Sequence, residues 1–213
     1  MKRGLALLVV VIALAVGAGY VYVQGKLPRR DGEVVVAGLQ APVSVRYDTR
    51  GVPHLQAQNE PDLYRALGYV HAQDRLFQME ILRHLARGEL AEVLGEKLVP
   101  TDTLFRSLRI REQATLMAQR QDHQAPAWRA LQAYLAGVNS WQASHPKPVE
   151  FDLLGISPRP FTAEDTLSIA GYLAYSFAAA FRTEPALTFI RDQLGPEYLG
   201  IFDLAWQPGG ALS

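Results

Sequence analysis

The side chains that could take part in catalysis or metal binding are scattered along this 213-residue chain. Cysteine is absent, which excludes a disulfide framework, a thiol nucleophile and a zinc site built on sulfur. The sequence also lacks a Gly-x-Ser-x-Gly nucleophile turn, a His-Glu-x-x-His zinc helix and a phosphate-binding glycine loop. The five histidines show no spacing typical of a metal site: His54, His71, His84, His123 and His145. Residue spacing alone therefore predicts no complete active site.

One acidic residue has an unusual position in the long helix that we predict from Asn59 to about Arg87. At 100° per residue, the apolar side chains of this helix form a narrow stripe, and Asp74 falls in its middle. The stripe consists of Leu63, Leu67, Val70, Phe77, Ile81 and Leu85. A carboxylate on an apolar face is costly unless it is paired and hydrogen-bonded. We therefore predict that Asp74 is a buried structural acid, held by backbone N–H groups or by an arginine.

The charges divide the chain into a basic leader and an acidic body. Basic and acidic residues number 21 each, but the first 30 residues contain five basic residues and no acidic one. Residues 31–213 therefore carry 16 basic and 21 acidic side chains, a net charge of −5. This balance argues against a nucleic-acid-binding protein, which would show a basic excess or patch.

The leader, residues 1–30, contains an uncharged run from Gly4 to Val23. Roughly 20 apolar residues in a helix would cross the hydrocarbon core of a bilayer. Two interpretations remain open: a signal peptide cut after Ala18, or an N-terminal membrane anchor with Tyr20 and Tyr22 at the interface. Both predict that residues 31–213 are exported, either to the periplasm or to the outer face of the membrane.

Residue periodicity in the body predicts one hairpin and several helices. Alternating residues on either side of Gly51, at 43–47 and 52–58, favour two antiparallel strands. A capping box of Thr162 and Asp165 opens a helix that extends to about Phe181, and its alanine-rich sequence predicts burial on all sides. The segment Arg182–Pro185 is predicted to interrupt this helix. The other helices are predicted at residues 59–87, 89–94, 102–121, 125–144 and 186–194. Thr101 is predicted to cap the helix at 102–121.

The most specific pattern consists of four segments in a fixed order. They are Val45-Arg46-Tyr47-Asp48, Gly51-Val52-Pro53-His54, residues 67–80 (LGYVHAQDRLFQME) and residues 87–95 (RGELAEVLG). Together they resemble the penicillin acylase family, which belongs to the N-terminal-nucleophile hydrolases. The resemblance extends over most of residues 43–200.

The resemblance implies an exported precursor that cleaves itself into an α chain and a β chain, which together form an αββα sandwich. This sequence then corresponds to the leader and, at residues 31–213, an α-chain-like domain that is incomplete at its C-terminus. Its expected fold class is α+β and mostly helical. The nucleophilic serine and its base, the serine's own α-amino group, would belong to the absent β chain.

The implied activity is hydrolysis of linear amides in N-acyl compounds such as penicillins or acyl homoserine lactones. We expect no catalytic residue in this chain and no activity from it alone. The β chain of the same precursor would be its partner, and the membrane would be a further one if the leader is not cleaved. The alternative is a membrane-tethered binding or structural domain without catalysis.

Two further sites follow from the resemblance. Glu184 corresponds to a glutamate that helps to bind a structural calcium ion, although it would equally serve as an N-terminal cap for the helix behind Pro185. Ala174, Phe177 and Ala178 correspond to residues of the acyl pocket, where the two alanines leave room for a bulky or long acyl chain. No organic cofactor is expected.

Overall fold

The computed structural model describes residues 2–28, 30–178 and 180–202. Contacts divide the chain into two units, residues 1–171 and residues 172–213. In chain order the elements are α1 (Lys2–Gln24), β1 (Ser44–Tyr47), β2 (Pro53–Gln56), α2 (Glu60–Arg87), α3 (Ala91–Leu94), a 3-10 turn (Glu96–Leu98), α4 (Val99–Ser107), α5 (Ile110–Arg120), α6 (Pro126–Ser144), α7 (Val149–Leu153), α8 (Ala163–Phe177), α9 (Ala180–Gln193) and a 3-10 helix (Pro196–Phe202). The predicted α+β class with mostly helical structure is confirmed.

The predicted hairpin is present. Strands β1 and β2 pair antiparallel, with Val45 opposite Leu55. Gly51 takes a positive φ of 78° in the turn, where few other residues are comfortable. One oxygen of Asp48 accepts the N–H groups of Arg50 at 2.8 Å and Val52 at 2.9 Å, which closes the turn.

Helix α2 begins and ends at residues suited to those positions. The Asn59 side chain accepts the N–H of Asp62 at 2.9 Å and caps the helix, as the sequence predicts. Gly88 ends it in the left-handed conformation, with φ 65°. The Asp62 side chain is buried and accepts the N–H groups of Gln40 at 2.9 Å and Ala41 at 3.0 Å, so it ties the segment before the hairpin to α2. These hydrogen bonds, led by that from Gln40, hold the pKa of Asp62 below its ordinary value.

The predicted apolar stripe of α2 is not the centre of its buried face. Of its six residues Val70 is buried, Leu67 is 39% exposed and the other four are half-buried. Arg75 departs from helical geometry, with φ −139° and ψ 15°, so the helix is kinked there. The buried face is offset from the stripe by one residue, roughly 100°, on both sides of the kink, where it contains Asp62, Ala66, Tyr69, Leu76 and Glu80. The apolar residues of α2 that are buried are Ala66, Tyr69, Val70, Ala72, Leu76, Met79 and Ala86.

Helices α2 and α6 pack closely where two glycines meet the opposite backbone. A Cβ atom at Gly68 would lie 2.0 Å from the carbonyl oxygen of Tyr134, and one at Gly137 would lie 1.9 Å from that of Arg65. Only glycine permits backbones to approach this closely. The hydrophobic core forms around this crossing and contains Tyr69, Ala72, Leu76, Met79, Leu135, Val138, Trp141, Phe151, Phe161 and Ala163.

The predicted helix from residue 102 to 121 is in fact two helices. Arg109 takes a left-handed conformation, with φ 55°, between α4 and α5. Non-glycine residues rarely do so, and no glycine or proline marks the break in the sequence. The prediction that Thr101 caps this segment is also wrong, because α4 begins two residues earlier, at Val99, with Pro100 in its first turn.

The second unit contains the last part of α8, all of α9 and the terminal 3-10 helix. The predicted interruption at Arg182–Pro185 is wrong, because Pro185 lies inside α9. Pro185 is the sixth residue of α9, beyond the first turn, so it removes one backbone hydrogen bond of the helix without ending it. The break instead separates α8, which ends at Phe177, from α9, which begins at Ala180.

At the N-terminus, α1 includes most of the predicted apolar leader. Among the residues that the structure describes, no helix has both the length and the hydropathy needed to cross a membrane. The boundary between a leader of residues 1–30 and a domain of residues 31–213 stays a prediction.

The glycine contact between α2 and α6 predicts the effect of adding a single methyl group. Gly68→Ala should destabilise the full-length protein by about 3 kcal/mol, because the new Cβ atom meets backbone rather than a movable side chain. Urea unfolding followed by circular dichroism measures this loss. In the control Gly19→Ala, where nothing lies within 4 Å, the change should stay within about 1 kcal/mol. Equal unfolding midpoints for the two variants would contradict the close crossing.

Candidate functional site

The helix that carries the predicted pocket residues, α8, is held at its first turn by a reciprocal capping box. The N–H of Thr162 donates to the Asp165 carboxylate at 3.1 Å. In return, the N–H of Asp165 donates to the Thr162 hydroxyl at 3.3 Å. The capping box expected from the sequence is therefore confirmed, with aspartate in place of the usual glutamate.

Asp165 also belongs to a buried group of charges that we call the Arg83 cluster: Glu80, Arg83, Arg87, Glu89 and Asp165. The side chains of Arg83 and Glu80 are each 1% exposed and form an ion pair within α2. Arg83 Nη1 lies 3.2 Å from one oxygen of Asp165, and Arg87 Nη1 lies 3.0 Å from the other. Two consecutive turns of α2 therefore hold the carboxylate that caps α8.

Further contacts complete the surroundings of Arg83. Its guanidinium donates to the carbonyl oxygens of Arg159 and Pro160, each at 3.2 Å, and lies 4.2 Å from the centre of the Phe161 ring. Its Nε is buried without a partner among the described residues. A buried charge is tolerated only when it is paired and hydrogen-bonded, so this arginine requires its partners to stay in place.

The three predicted pocket residues lie at the far end of α8, in the second unit. The N–H of Ala178 donates to the carbonyl oxygen of Ala174 at 3.1 Å, which continues the helical turn. Ala174 is exposed, Ala178 is partly exposed and Phe177 is 86% exposed. The prediction that α8 is buried on all sides is therefore wrong for this chain, in which Ala163, Asp165 and Ser168 are the buried residues described in α8.

The predicted calcium ligand, Glu184, lies in α9 and is exposed. Calcium takes six to eight oxygen ligands, of which one glutamate supplies at most two. Among the described residues, no three acidic or histidine side chains come close enough together to hold a metal ion. Glu184 therefore fits calcium only as one contributor to a site completed from elsewhere.

Asp74 is partly buried rather than fully buried. Its side chain is 15% exposed, and Arg30 donates to its Oδ1 at 3.0 Å. Asp74 precedes the kink at Arg75 and is not among the buried residues of α2. The fully buried acids of this unit, which the sequence did not single out as buried, are Asp62 and Glu80, each 1% exposed.

None of the five histidines forms a catalytic pair among the described residues. His145 Nδ1 lies 2.9 Å from the Ser144 hydroxyl, but this hydroxyl also lies 2.7 Å from the carbonyl oxygen of Ser140 and no carboxylate orients the ring. His71 Nδ1 lies 2.6 Å from the Tyr134 hydroxyl. Burial lowers the pKa of His71 and raises that of Tyr134 to about 12, so both are neutral at pH 7. The remaining three, His54, His84 and His123, lie against Asp48, Glu80 and Trp128 respectively.

Comparison with known proteins decides the family. Residues 42–208 match the family model described as penicillin amidase. The chain belongs to the penicillin amidase family. It is 43% identical over 150 residues to penicillin acylase 2 proenzyme of Pseudomonas sp. (strain SE83), covering 68% of this chain and 19% of that protein. It is 31% identical over 175 residues to acyl-homoserine lactone acylase QuiP of Pseudomonas aeruginosa, covering 81% of this chain and 20% of that protein.

A solved structure of a penicillin amidase relative shows the same fold. The thermostable penicillin G acylase from Alcaligenes faecalis superimposes with a TM-score of 0.52 at 27% identity. The match covers 81% of this chain and 96% of the solved chain. By contrast, the present chain spans about a fifth of the length of the curated relatives it matches.

The Arg83 cluster is the part of the site that residue types and spacing did not reveal. One signal was available: Glu80, Arg83 and Arg87 repeat at three and four residues, so they share one face of α2. Such a repeat is usually a solvated surface, and Asp165 is 82 residues away from Arg83. Only packing brings these charges together.

The cluster predicts a large loss of stability for Asp165→Asn. The variant removes the charge that faces Arg83 and Arg87 and should destabilise the full-length protein by about 3–5 kcal/mol. Urea unfolding measures the difference. The matched control is Asp192→Asn, whose side chain is 50% exposed beside Arg191 and should change stability by less than about 1 kcal/mol. Similar losses for both variants would show that the cluster contributes no more than a surface pair.

Proposed function

We propose that this chain is the α-chain portion of an exported amide hydrolase that cleaves N-acyl compounds. The observation that carries the proposal is a contrast in coverage. The chain matches 96% of one chain of the solved penicillin G acylase but only 19% of the penicillin acylase 2 proenzyme. Such a contrast is expected when the matched segment is one separable product of a longer precursor.

The catalytic groups would then belong to the β chain of the same precursor. Amide hydrolysis requires a nucleophile with a base within hydrogen-bond reach and donors for the developing oxyanion. Among the described residues the only serine–histidine contact, Ser144 with His145, has no orienting acid, and it sits on an exposed helix end. The chain alone should therefore hydrolyse no amide.

The substrates we propose are those for which its relatives are named, penicillins and acyl homoserine lactones. Both carry an acyl group on an amide nitrogen, so one acyl pocket serves both. Ala174, Phe177 and Ala178 would form part of that pocket, since they present two small side chains and one aromatic ring at the exposed end of α8. An apolar wall of this kind suits a hydrocarbon or aromatic acyl group.

Structural calcium bound through Glu184 is a further proposal. The carboxylate of this residue is exposed, and its negative charge contributes to raising the pKa of Arg191, after the larger effect of Asp192. The ion would hold α9 to carboxylates of the β chain by its charge and its need for oxygen ligands. It would take no part in the reaction.

Export through the N-terminal segment completes the proposal. The basic start, the apolar run and the small residues at 16–18 are typical of a signal for export. Whether the segment is then cut after Ala18 or kept, residues 31–213 would work in the periplasm or at the outer face of the membrane. A non-catalytic, tethered binding domain is the alternative, and the activity test separates the two.

The test expresses the complete gene and follows the release of amine from penicillin G and from N-acyl homoserine lactones. The proposal expects two chains after maturation and activity in that material, with none in residues 1–213 expressed alone. A complete gene product that remains one chain and releases no amine from any N-acyl compound would favour the binding domain.

Filling the proposed acyl pocket should change substrate choice. In the mature product of the complete gene, Ala174→Phe is expected to lower kcat/KM for the longest acyl chain at least tenfold relative to a short one. The reason is that the added ring occupies the space of the long acyl chain. Steady-state assays with a series of acyl lengths measure this. The control Ala170→Phe, an exposed position one turn earlier on α8, should leave the preference unchanged. An unchanged length preference in Ala174→Phe would remove this residue from the pocket.

Removing the proposed calcium ligand should weaken stabilisation by calcium. In the mature full-length protein, Glu184→Gln is expected to reduce the rise in Tm produced by added CaCl₂ after EGTA treatment, since an amide is a weaker ligand than a carboxylate. Differential scanning calorimetry measures the shift. Glu197→Gln, another exposed glutamate of the same unit, serves as the control and should keep the full response. No calcium response in the unmodified protein would contradict the site.

A further inference from the structure

The last turn of α1 and the segment after it lie against the rest of the first unit. We call this part the strap: residues 22–28 together with Arg30. Lys26 Nζ lies 2.5 Å from Asp152 Oδ2 and donates to the carbonyl oxygen of Lys147 at 3.0 Å. The Lys26 side chain is only 14% exposed, although lysine is a residue that is mostly exposed in proteins. The strap is therefore held to the body by a lysine in a defined place.

Asp152 is the acceptor on which this end of the strap converges. It accepts hydrogen bonds from Lys26 and from the Tyr22 hydroxyl, and Lys147 Nζ lies 3.1 Å from its other oxygen. These three donors, Lys26 first, hold the pKa of Asp152 well below its ordinary value. Asp152 in turn raises the pKa of Lys26, so both groups are charged at neutral pH.

The other end of the strap is held by Arg30. Its guanidinium donates to Asp74 at 3.0 Å and lies 5.2 Å from the centre of the Tyr47 ring. Asp74 belongs to α2 and Tyr47 to β1, so this one side chain touches two elements of the body. The two fixed points, Lys26 and Arg30, are four residues apart and bind acids that are far apart in sequence.

Apolar contacts accompany the charged ones. A cavity of about 360 Å³ lies between the strap and the body. Its lining includes Val23 and Leu27 from the strap, and Leu76, Phe77 and Trp141 from the body. The strap is thus one wall of this cavity, and its removal would expose the kinked part of α2.

We infer that the strap is a structural part of the folded body, and that the removable part of the N-terminus ends before Tyr22. A cut after Ala18 leaves all these contacts intact, whereas a cut after Arg30 removes Arg30 from Asp74 and removes Tyr22 and Lys26 from Asp152. The strap itself rests on the contacts above, and only the limit on removal rests on the proposed export.

Limited trypsin digestion of the full-length protein tests the strap without requiring export. Trypsin must take the Lys26 side chain into its own pocket, so cleavage after Lys26 requires this lysine to leave Asp152. We expect this bond to be cut at least about tenfold more slowly than the bond after Arg120, at the exposed end of α5. Mass spectrometry of timed samples gives both rates.

Matched variants separate the strap from general unfolding. Asp152→Asn should speed cleavage after Lys26 at least about tenfold and leave the Arg120 bond unchanged, while Asp152→Glu should keep most of the protection. Asp74→Asn, which releases the Arg30 end, should act in the same direction, and Asp192→Asn should have no effect. Equal rates after Lys26 and Arg120 in the unmodified protein, or no response to Asp152→Asn and Asp74→Asn, would overturn the strap.

Sequencing the N-terminus of protein recovered from outside the cytoplasm tests the limit on removal. The expected first residue is Tyr22 or an earlier one, and any later first residue would overturn the limit. Protein that never leaves the cytoplasm would contradict the proposed export instead, and the trypsin rates would then decide the strap by themselves.

Discussion

The buried guanidinium of Arg83 is the constraint on which the arrangement of the first unit depends. It carries a full charge in a place with 1% exposure, so Glu80 and Asp165 must lie within reach of it. Those two carboxylates come from α2 and from the first turn of α8, which are distant in sequence. Because an unpaired buried charge costs several kcal/mol, this pairing permits few alternative packings of α8 against α2.

A second constraint sets the distance between helices. Gly68 and Gly137 let the backbones of α2 and α6 touch, and the aromatic core fills the space around that crossing. Apolar contacts do not depend on the relative orientation of the groups, whereas the ion pairs of the Arg83 cluster require particular atoms to meet. The glycine crossing therefore sets how near the helices come, and the charges set which turn of α2 faces α8.

These constraints matter for function because α8 carries the proposed pocket residues. Its first turn is anchored by the capping box and by Arg83 and Arg87, while its last turn presents Phe177 almost fully exposed. The anchored turn belongs to the first unit, and the proposed pocket residues belong to the second.

Local signals in the sequence were sufficient for much of the fold. The Asn59 cap, the turn at Gly51, the end of α2 at Gly88 and the capping box at Thr162 each depend on neighbours within a few residues. The four ordered segments likewise identified the family. Tertiary structure alone decided the buried face of α2, the partial burial of Asp74 and the partner of Arg83. Those features depend on contacts between residues far apart in sequence, such as Arg83 with Asp165 and Arg30 with Asp74, which no local pattern records.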